Sequence, residues 1–304
     1  MYDTIIIGGG VTGFSAAMYA GRLELKTLVI SKIRGGTIIL TNEIGNWPGI
    51  KMTDGITLAK DIEEHALEYG VEVVDTEAIK VEKNRNHYVV HTNDGNKHET
   101  KTVIFATGTE WRKLNVPGEN EFANRGVHYC ALCDGYFYKD KVIAVVGGAD
   151  SAVKEANLLT QWAKKVYIIY RGENVHPEPP NLRKMEKFVE EGKIEVITNT
   201  NAVEIKGDKF VTKVLLDKKY NGSKEFPIEG LFVDIGHIPQ SQLAKELGVE
   251  VDKKGDIIVN KNSETNVPGV YAAGDVANGA FKQAITGSAE GVLAAFSAYE
   301  YINK

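Results

Sequence analysis

The sequence predicts an α/β protein built on two copies of a strand–glycine turn–helix–strand unit, with a cysteine pair set between them. Three observations carry this. Gly8-Gly9-Gly10-Val11-Thr12-Gly13 follows an apolar run and opens a helical pattern. Gly147-Gly148-Ala149-Asp150-Ser151-Ala152 does the same in the second half. Between them, Cys130-Ala131-Leu132-Cys133-Asp134-Gly135 holds the only two cysteines of the 304 residues. That length suggests about two domains. A composition 43% hydrophobic and 25% charged is that of a globular protein. A net charge of −5 argues against a nucleic-acid surface or a polybasic membrane anchor. No apolar run reaches the roughly 18–20 residues of a membrane span. Met1-Tyr2-Asp3 leads into a strand without a basic segment or cleavage site, so no signal peptide is expected and a cytoplasmic location is.

The first unit starts at Thr4-Ile5-Ile6-Ile7, a β-branched run suited to a strand buried on both faces. Phe14, Ala16, Ala17 and Ala20 then recur at helical spacing, and 26–30 is a second strand. In that context the G-x-G-x-x-G turn points to a dinucleotide. Gly8 makes the tight turn, Gly10 admits backbone close to a pyrophosphate, and Gly13 lets helix and strand pack closely. The free N–H groups of the helix start then face the phosphates. The acid that usually ends the second strand is absent. Ser31-Lys32-Ile33-Arg34 stands there, and its basic residues alone would suggest a 2′-phosphate. Gly35-Gly36 begins a loop running through Glu43 and Asn46 to Gly49, and 57–69 reads as an amphipathic helix. Strands at 72–74, 78–83 and 87–92 follow, with Asn93-Asp94-Gly95 as a hairpin turn, and a buried strand ends in Ala106-Thr107-Gly108. The second unit has strands at 142–146 and 166–170 around a helix reaching about 163. Its turn reads G-x-A-x-x-A, so Ala149 puts a methyl at the point of closest approach. A hairpin around 220–223, apolar strands at 229–236 and 267–275, and an Ala-rich helix over 283–301 complete the pattern.

A C-x-x-C pair can close and reopen a small disulfide ring, which is redox chemistry. A structural zinc site needs four ligands. There is no second cysteine pair, and only His87 and His91 resemble a histidine pair. Two inert core cysteines are the other alternative. Asp134 is read as a turn or cap residue, or as a proton donor beside a thiolate. Asp275, ending an apolar strand, needs a polar partner such as a ligand hydroxyl. Two dinucleotide units and a redox pair in one chain imply electron transfer through two nucleotide cofactors to a disulfide.

These motifs, in this order, resemble the low-molecular-weight thioredoxin reductases, class-II pyridine nucleotide-disulfide oxidoreductases. Asn46-Trp47-Pro48-Gly49, Ala106-Thr107-Gly108, Gly236-His237-Ile238-Pro239, the run from Val267 to Asp275, and Lys282-Gln283-Ala284 carry the likeness over the rest of the chain. The resemblance implies two Rossmann-like, three-layer ββα domains, the second inserted into the first. FAD would occupy 1–112 with 241–304, and 113–240 would be the pyridine-nucleotide-type domain carrying the cysteines. FAD contacts would come from Gly8, Gly10, Val11, Thr12, Gly13, Gly36, Asn46, Ala106, Thr107, Gly108, Gly274, Asp275, Lys282, Gln283 and Ala284. NAD(P)H would meet Gly147, Gly148, Ala149, Asp150, Ser151, Arg171 and His176. Cys133 would take electrons from the flavin, Cys130 would attack the disulfide of thioredoxin or a thioredoxin-like protein, and Asp134 would be the acid. Domain rotation about hinges near 112–116 and 236–240 is implied, as is a homodimer. Tyr136, Phe137 and Tyr138 are either part of the thioredoxin docking surface or core packing.

The sequence departs from the family where the donor docks. NADPH-using members carry His-Arg-Arg-x-x-x-Arg after the second strand of the second unit. This chain has Tyr170-Arg171-Gly172-Glu173-Asn174-Val175-His176, so one cation of the 2′-phosphate clamp remains and an acid is added. Weak use of NADPH is expected, with NADH, ferredoxin or a deazaflavin as donor. An FAD-bound redox sensor without turnover is the alternative outside catalysis.

Overall fold

The computed structural model describes residues 1–41 and 44–304, with the side chains of Leu40 and Cys133 outside that description. Glu43, named in the first loop, lies outside it as well. The chain opens with β1 (Tyr2–Ile7), α1 (Val11–Arg22) and β2 (Thr27–Ser31). Ile5, Ile6 and Ile7 are all buried, as an unalternating β-branched run requires. Next come α2 (Gly55–Leu67), capped by Asp54 accepting from Thr57 N at 2.8 Å, and β3 (Glu72–Asp75). A meander of β4 (Ala78–Asn84), β5 (His87–Thr92) and β6 (Lys97–Phe105) leads to β7 (Thr109–Trp111).

The chain continues through β8 (Val127–His128), a single helical turn α3 (Ala131–Asp134), β9 (Val142–Val146), α4 (Asp150–Leu159) and β10 (Lys165–Ile169). α4 stops short of 163 because 160–163 turn back, with Trp162 O accepting from Asp140 N at 2.9 Å. Then follow α5 (Pro179–Glu190), β11 (Ile194–Ile197), β12 (Ala202–Gly207), β13 (Val211–Tyr220), β14 (Ser223–Pro227) and β15 (Gly230–Val233). The last elements are β16 (His237–Pro239), α6 (Gln242–Glu246), β17 (Val270–Ala272) and α7 (Ala284–Ile302).

Two compact units result: 1–110 with 238–304, and 111–237. They share one plan. In the first, β3-β2-β1-β6-β17 lie parallel in that order, and the meander β4-β5-β6 runs antiparallel. In the second, β11-β10-β9-β15-β8 are parallel, beside the antiparallel meander β12-β13-β14. Each unit is thus a Rossmann-like sheet whose fifth strand comes from outside the sequential run. Apolar cores cover both faces of each sheet: Val103, Phe105 and Ile257 on one side of the first, Phe14, Ala17 and Ala294 on the other. No helix among the described residues is long and apolar enough to cross a membrane.

Candidate functional site

The first glycine turn is built as its spacing requires. Gly8 has φ +114°, and a Cβ on it would sit 2.2 Å from Ala106 O. A Cβ on Gly13 would sit 1.8 Å from Gly8 O, so only glycine lets α1 start there. Gly10 is extended, at φ −83° and ψ −174°, and no side chain caps α1. Its first-turn N–H groups are left for a ligand. Gly35 N donates to Gly9 O at 2.8 Å and closes one side of the turn, bringing Gly36 against Gly10. Val11 is buried in the core, so it contributes through its backbone.

Other elements of this unit bring the remaining predicted residues together. Asn46 Nδ2 donates to Gln283 Oε1 at 3.0 Å, joining the loop to the N-cap of α7, and Ala284 is the first residue of that helix. Thr107 Oγ1 donates to Gln240 O at 2.7 Å, and Gln240 N donates to Gly108 O at 2.9 Å. Gly274 packs on Thr12 so closely that a Cβ would meet Thr12 Oγ1 at 2.5 Å. Lys282 is braced internally: its Nζ lies 2.7 Å from Asp256 Oδ1 and donates to Asp275 O at 2.9 Å. Glu290, which the sequence reading passed over, accepts from Gly274 N at 2.8 Å, and burial pushes its carboxyl up. The available signal was an acid in the middle of an otherwise uncharged stretch of that Ala-rich helix.

The basic run after β2 is spoken for. Arg34 reaches Asp75 and Glu63, both at 2.6 Å, and Lys32 reaches Glu77 at 2.9 Å. The 2′-phosphate suggested by those residues is therefore answered by the chain's own acids. The glycine cradle, the uncapped helix start, and the Asn46–Gln283 pair fit FAD.

The second turn repeats the first. Ala149 has φ −84° and ψ −178°, the conformation of Gly10, so its methyl needs no special backbone. His176 N donates to Gly148 O at 2.8 Å, as Gly35 N does to Gly9 O. The flanking side chains differ. The Tyr170 ring lies where a Cβ on Gly148 would be 2.4 Å away, and Tyr170 Oη stands 3.4 Å from His176 Nδ1. Asp150 is turned to α5, accepting from Glu178 N at 2.7 Å and Asn181 Nδ2 at 2.8 Å. Ser151 Oγ donates to Asp234 Oδ1 at 2.9 Å. Arg171 is exposed. The turn fits a dinucleotide pyrophosphate. Around it, 170–176 hold one arginine and one acid, which does not make a 2′-phosphate clamp.

Cys130 is disulfide-bonded and 8% exposed, at the start of α3. The predicted role of Cys133 falls on a side chain outside the described residues. Ala131 N donates to Glu155 Oε1 at 3.1 Å, so α4 holds the cysteine turn through a carboxyl. Burial, then the charge of Asp234, pushes Glu155 up to about 8. Asp134 makes no capping bond. Its Oδ2 lies 2.9 Å from Nδ1 of the buried His128, whose Nε2 shares a 2.7 Å hydrogen bond with Tyr138 Oη. Tyr138 is core. Tyr136 and Phe137 are 67% and 69% exposed. His91 pairs with Glu82 and His87 with Glu99, and no group of three metal-binding side chains converges among the described residues.

Two phosphate-binding turns and a disulfide at a C-x-x-C motif define a nucleotide-dependent disulfide oxidoreductase. The model of the pyridine nucleotide-disulphide oxidoreductases matches residues 2–291, and the chain belongs to that family. It is 38% identical to a thioredoxin reductase of Buchnera aphidicola, over 98% of this chain and 96% of that one. Its structure is similar to those of the thioredoxin reductases of Lactococcus lactis (TM-score 0.92, 36% identity, 100% and 99% of the two chains) and T. acidophilum (0.89, 35%, 98% and 98%).

Proposed function

We propose that this chain is a flavin-dependent reductase of thioredoxin disulfide. The observation that carries the reading is the disulfide-bonded Cys130 in a C-x-x-C turn on the second dinucleotide unit, in a chain similar end to end to thioredoxin reductases. With FAD bound, two-electron transfer between a nicotinamide and a disulfide becomes available.

The chain's own residues do the rest. The Gly8–Gly13 turn and the start of α1 hold the pyrophosphate, and Asp275 takes a ribityl hydroxyl. Asn46 and Gln283, tied to each other, flank the ring system. Cys133 is the sulfur that receives electrons, and Cys130 the one that attacks thioredoxin. Asp134 supplies protons to the leaving sulfur. Exposed Tyr136 and Phe137 supply the apolar contact for a protein substrate, which supports docking over core packing for those two. The reaction belongs in the cytoplasm, in a homodimer.

The donor is NADH in preference to NADPH. The intact Gly147–Ser151 turn supports a nicotinamide dinucleotide. Arg171 as sole cation, with Glu173 beside it in sequence, supports one without a 2′-phosphate. Stopped-flow reduction of the bound flavin by NADH, NADPH and reduced ferredoxin, followed by turnover of thioredoxin, tests both parts. Fast, tight reduction by NADPH overturns the donor. Reduction by ferredoxin with neither nicotinamide active moves that role to a protein. A yellow protein that reduces no disulfide with any donor is a sensor, and overturns the reductase.

A further inference from the structure

We infer that His128 is the positioning residue through which Asp134 keeps and lends a proton during disulfide exchange, with Tyr138 fixing the imidazole. The inference deepens the reductase reading and rests on it. An isolated, part-exposed aspartate is ionised at neutral pH and has no proton to lend. The structure puts an imidazole behind it. His128 Nδ1 stands 2.9 Å from Asp134 Oδ2, with the histidine side chain 7% exposed and the aspartate 28%. The pair is at ion-pair distance but off hydrogen-bond alignment. Hydrogen bonds of this kind are often loose in a free enzyme and tighten with substrate.

The rest of the pocket leaves the imidazole one orientation. Phe232 stacks on it at 5.3 Å between centroids and 28° between planes, and Tyr138 meets it edge-on at 5.3 Å and 74°. Tyr138 Oη is 2.7 Å from Nε2. Burial, then the charge of Asp134, pushes that phenol up to about 12, so it keeps its proton through the neutral range. It donates to Nε2 when the ring is neutral, which puts the ring proton on Nδ1, facing Asp134. It accepts from Nε2 when the ring is a cation. The imidazole is the side chain that changes charge between pH 5 and 8. Among the described residues, the charged groups that touch this cluster are Asp134 on α3 and Lys141, over the Tyr138 ring at 5.4 Å. At 2.9 Å a proton can pass directly between Asp134 Oδ2 and His128 Nδ1.

The exchange then balances. The Cys130 thiolate attacks the thioredoxin disulfide. A Cys130–thioredoxin S–S bond forms and the thioredoxin S–S bond breaks. The expelled thiolate takes the proton from the Asp134–His128 pair. The Cys133 thiol gives its proton to the pair and attacks Cys130. The internal disulfide re-forms and the second thioredoxin sulfur leaves as a thiolate. The pair ends as it began.

The test uses the FAD-loaded enzyme, with thioredoxin reduction as a function of pH. His128→Gln is expected to lower kcat by about a hundredfold at neutral pH, the lower part of the range for a positioned acid. KM for thioredoxin and the flavin spectrum stay unchanged. The size of the loss changes with pH, as a proton-transfer role requires and a packing role does not. Free imidazole restores activity to His128→Ala. In the reduced enzyme without thioredoxin, the pH profile of iodoacetamide alkylation of Cys130 shifts in His128→Gln and not in His87→Gln. Wild-type turnover with an unchanged pH profile in both His128 variants overturns the inference and leaves the reductase standing. Absence of wild-type turnover overturns the reductase reading itself.

Discussion

Glu155→Gln should stabilise the protein, and by more as pH rises. Glu155 is an acid whose burial, with Asp234 nearby, pushes it from an ordinary 4.5 to about 8. One carboxyl oxygen accepts from Ala131 N, and the other is out of solvent with no hydrogen-bond partner. Between those two pH values the unfolded chain has released the proton and the folded one holds it. The native state binds more protons, so stability falls as pH rises. The loss starts above 4.5 and is complete above about 8. At about 1.4 kcal/mol per pH unit, it reaches roughly 3 kcal/mol at pH 7 and 4–5 kcal/mol above pH 8, as upper bounds because part of the shift comes from the charge of Asp234. Glutamine keeps the acceptor for Ala131 N and does not titrate. Its buried amide N–H groups carry a cost of about 1–3 kcal/mol, but that cost is the same at every pH. The slope of the difference is therefore the clean observable. Melting temperatures of wild type and Glu155→Gln, measured on the FAD-loaded protein from pH 5 to 8.5, should diverge by roughly 8–16 °C, about 4 kcal/mol at 2–4 °C per kcal/mol. A constant difference across that range refutes the reasoning, since it means Glu155 titrates as it does in water.

Gly13→Ala should abolish FAD retention, because its Cβ would sit 1.8 Å from Gly8 O; flavin absorbance of the purified protein reads it, and a yellow variant of normal stability contradicts the cradle. Ala149→Gly should leave the nicotinamide KM within about twofold, since the alanine already has the backbone of Gly10, and a large gain would show that the methyl crowds the pyrophosphate. Arg34→Ala should cost under about 1 kcal/mol, as exposed ion pairs do, and leave the NADH-to-NADPH ratio unchanged; a changed ratio would return Arg34 to phosphate binding. Tyr136→Ser with Phe137→Ser should raise KM for thioredoxin while DTNB reduction stays level, and an equal loss in both assays would place the pair in the catalytic turn rather than at a docking surface.

What the sequence made legible is what backbone geometry dictates locally. A glycine three residues after another, between a β-branched run and a helical pattern, has few other uses, and both turns came out as spaced. The meander after β3 was legible for the same reason, because alternation and Asn93-Asp94-Gly95 are short-range signals. α5, β11 and β12 were not: α5 fully buries only Met185, and β11 and β12 span four and six residues, too short for their buried positions to read as a period. The side-chain partnerships were the least legible part. Arg34 reads as a phosphate ligand until β3 and α2 bring Asp75 and Glu63 to it. The bracing of Lys282 by Asp256 was likewise not readable, since the two lie 26 residues apart.

His128 shows the same limit at the redox centre. Alone in the sequence, it is one of seven histidines, at the end of a two-residue strand. Asp134, six positions on, reads equally well as a cap. Their pairing depends on β8 ending against β15, which sets Phe232 under the imidazole, and on α3 folding Asp134 back over it. Tyr138 must also be buried for its hydroxyl to reach Nε2, and a Cβ on Gly230 would lie 2.2 Å from its ring. A glycine about a hundred residues beyond the cysteines, on the strand between β9 and β8 in the sheet, thus makes room for the phenol that orients the histidine. No local pattern encodes such a chain of dependence. Gly230→Ala should therefore disturb thioredoxin turnover through Tyr138 and His128 while flavin absorbance of the purified protein stays unchanged.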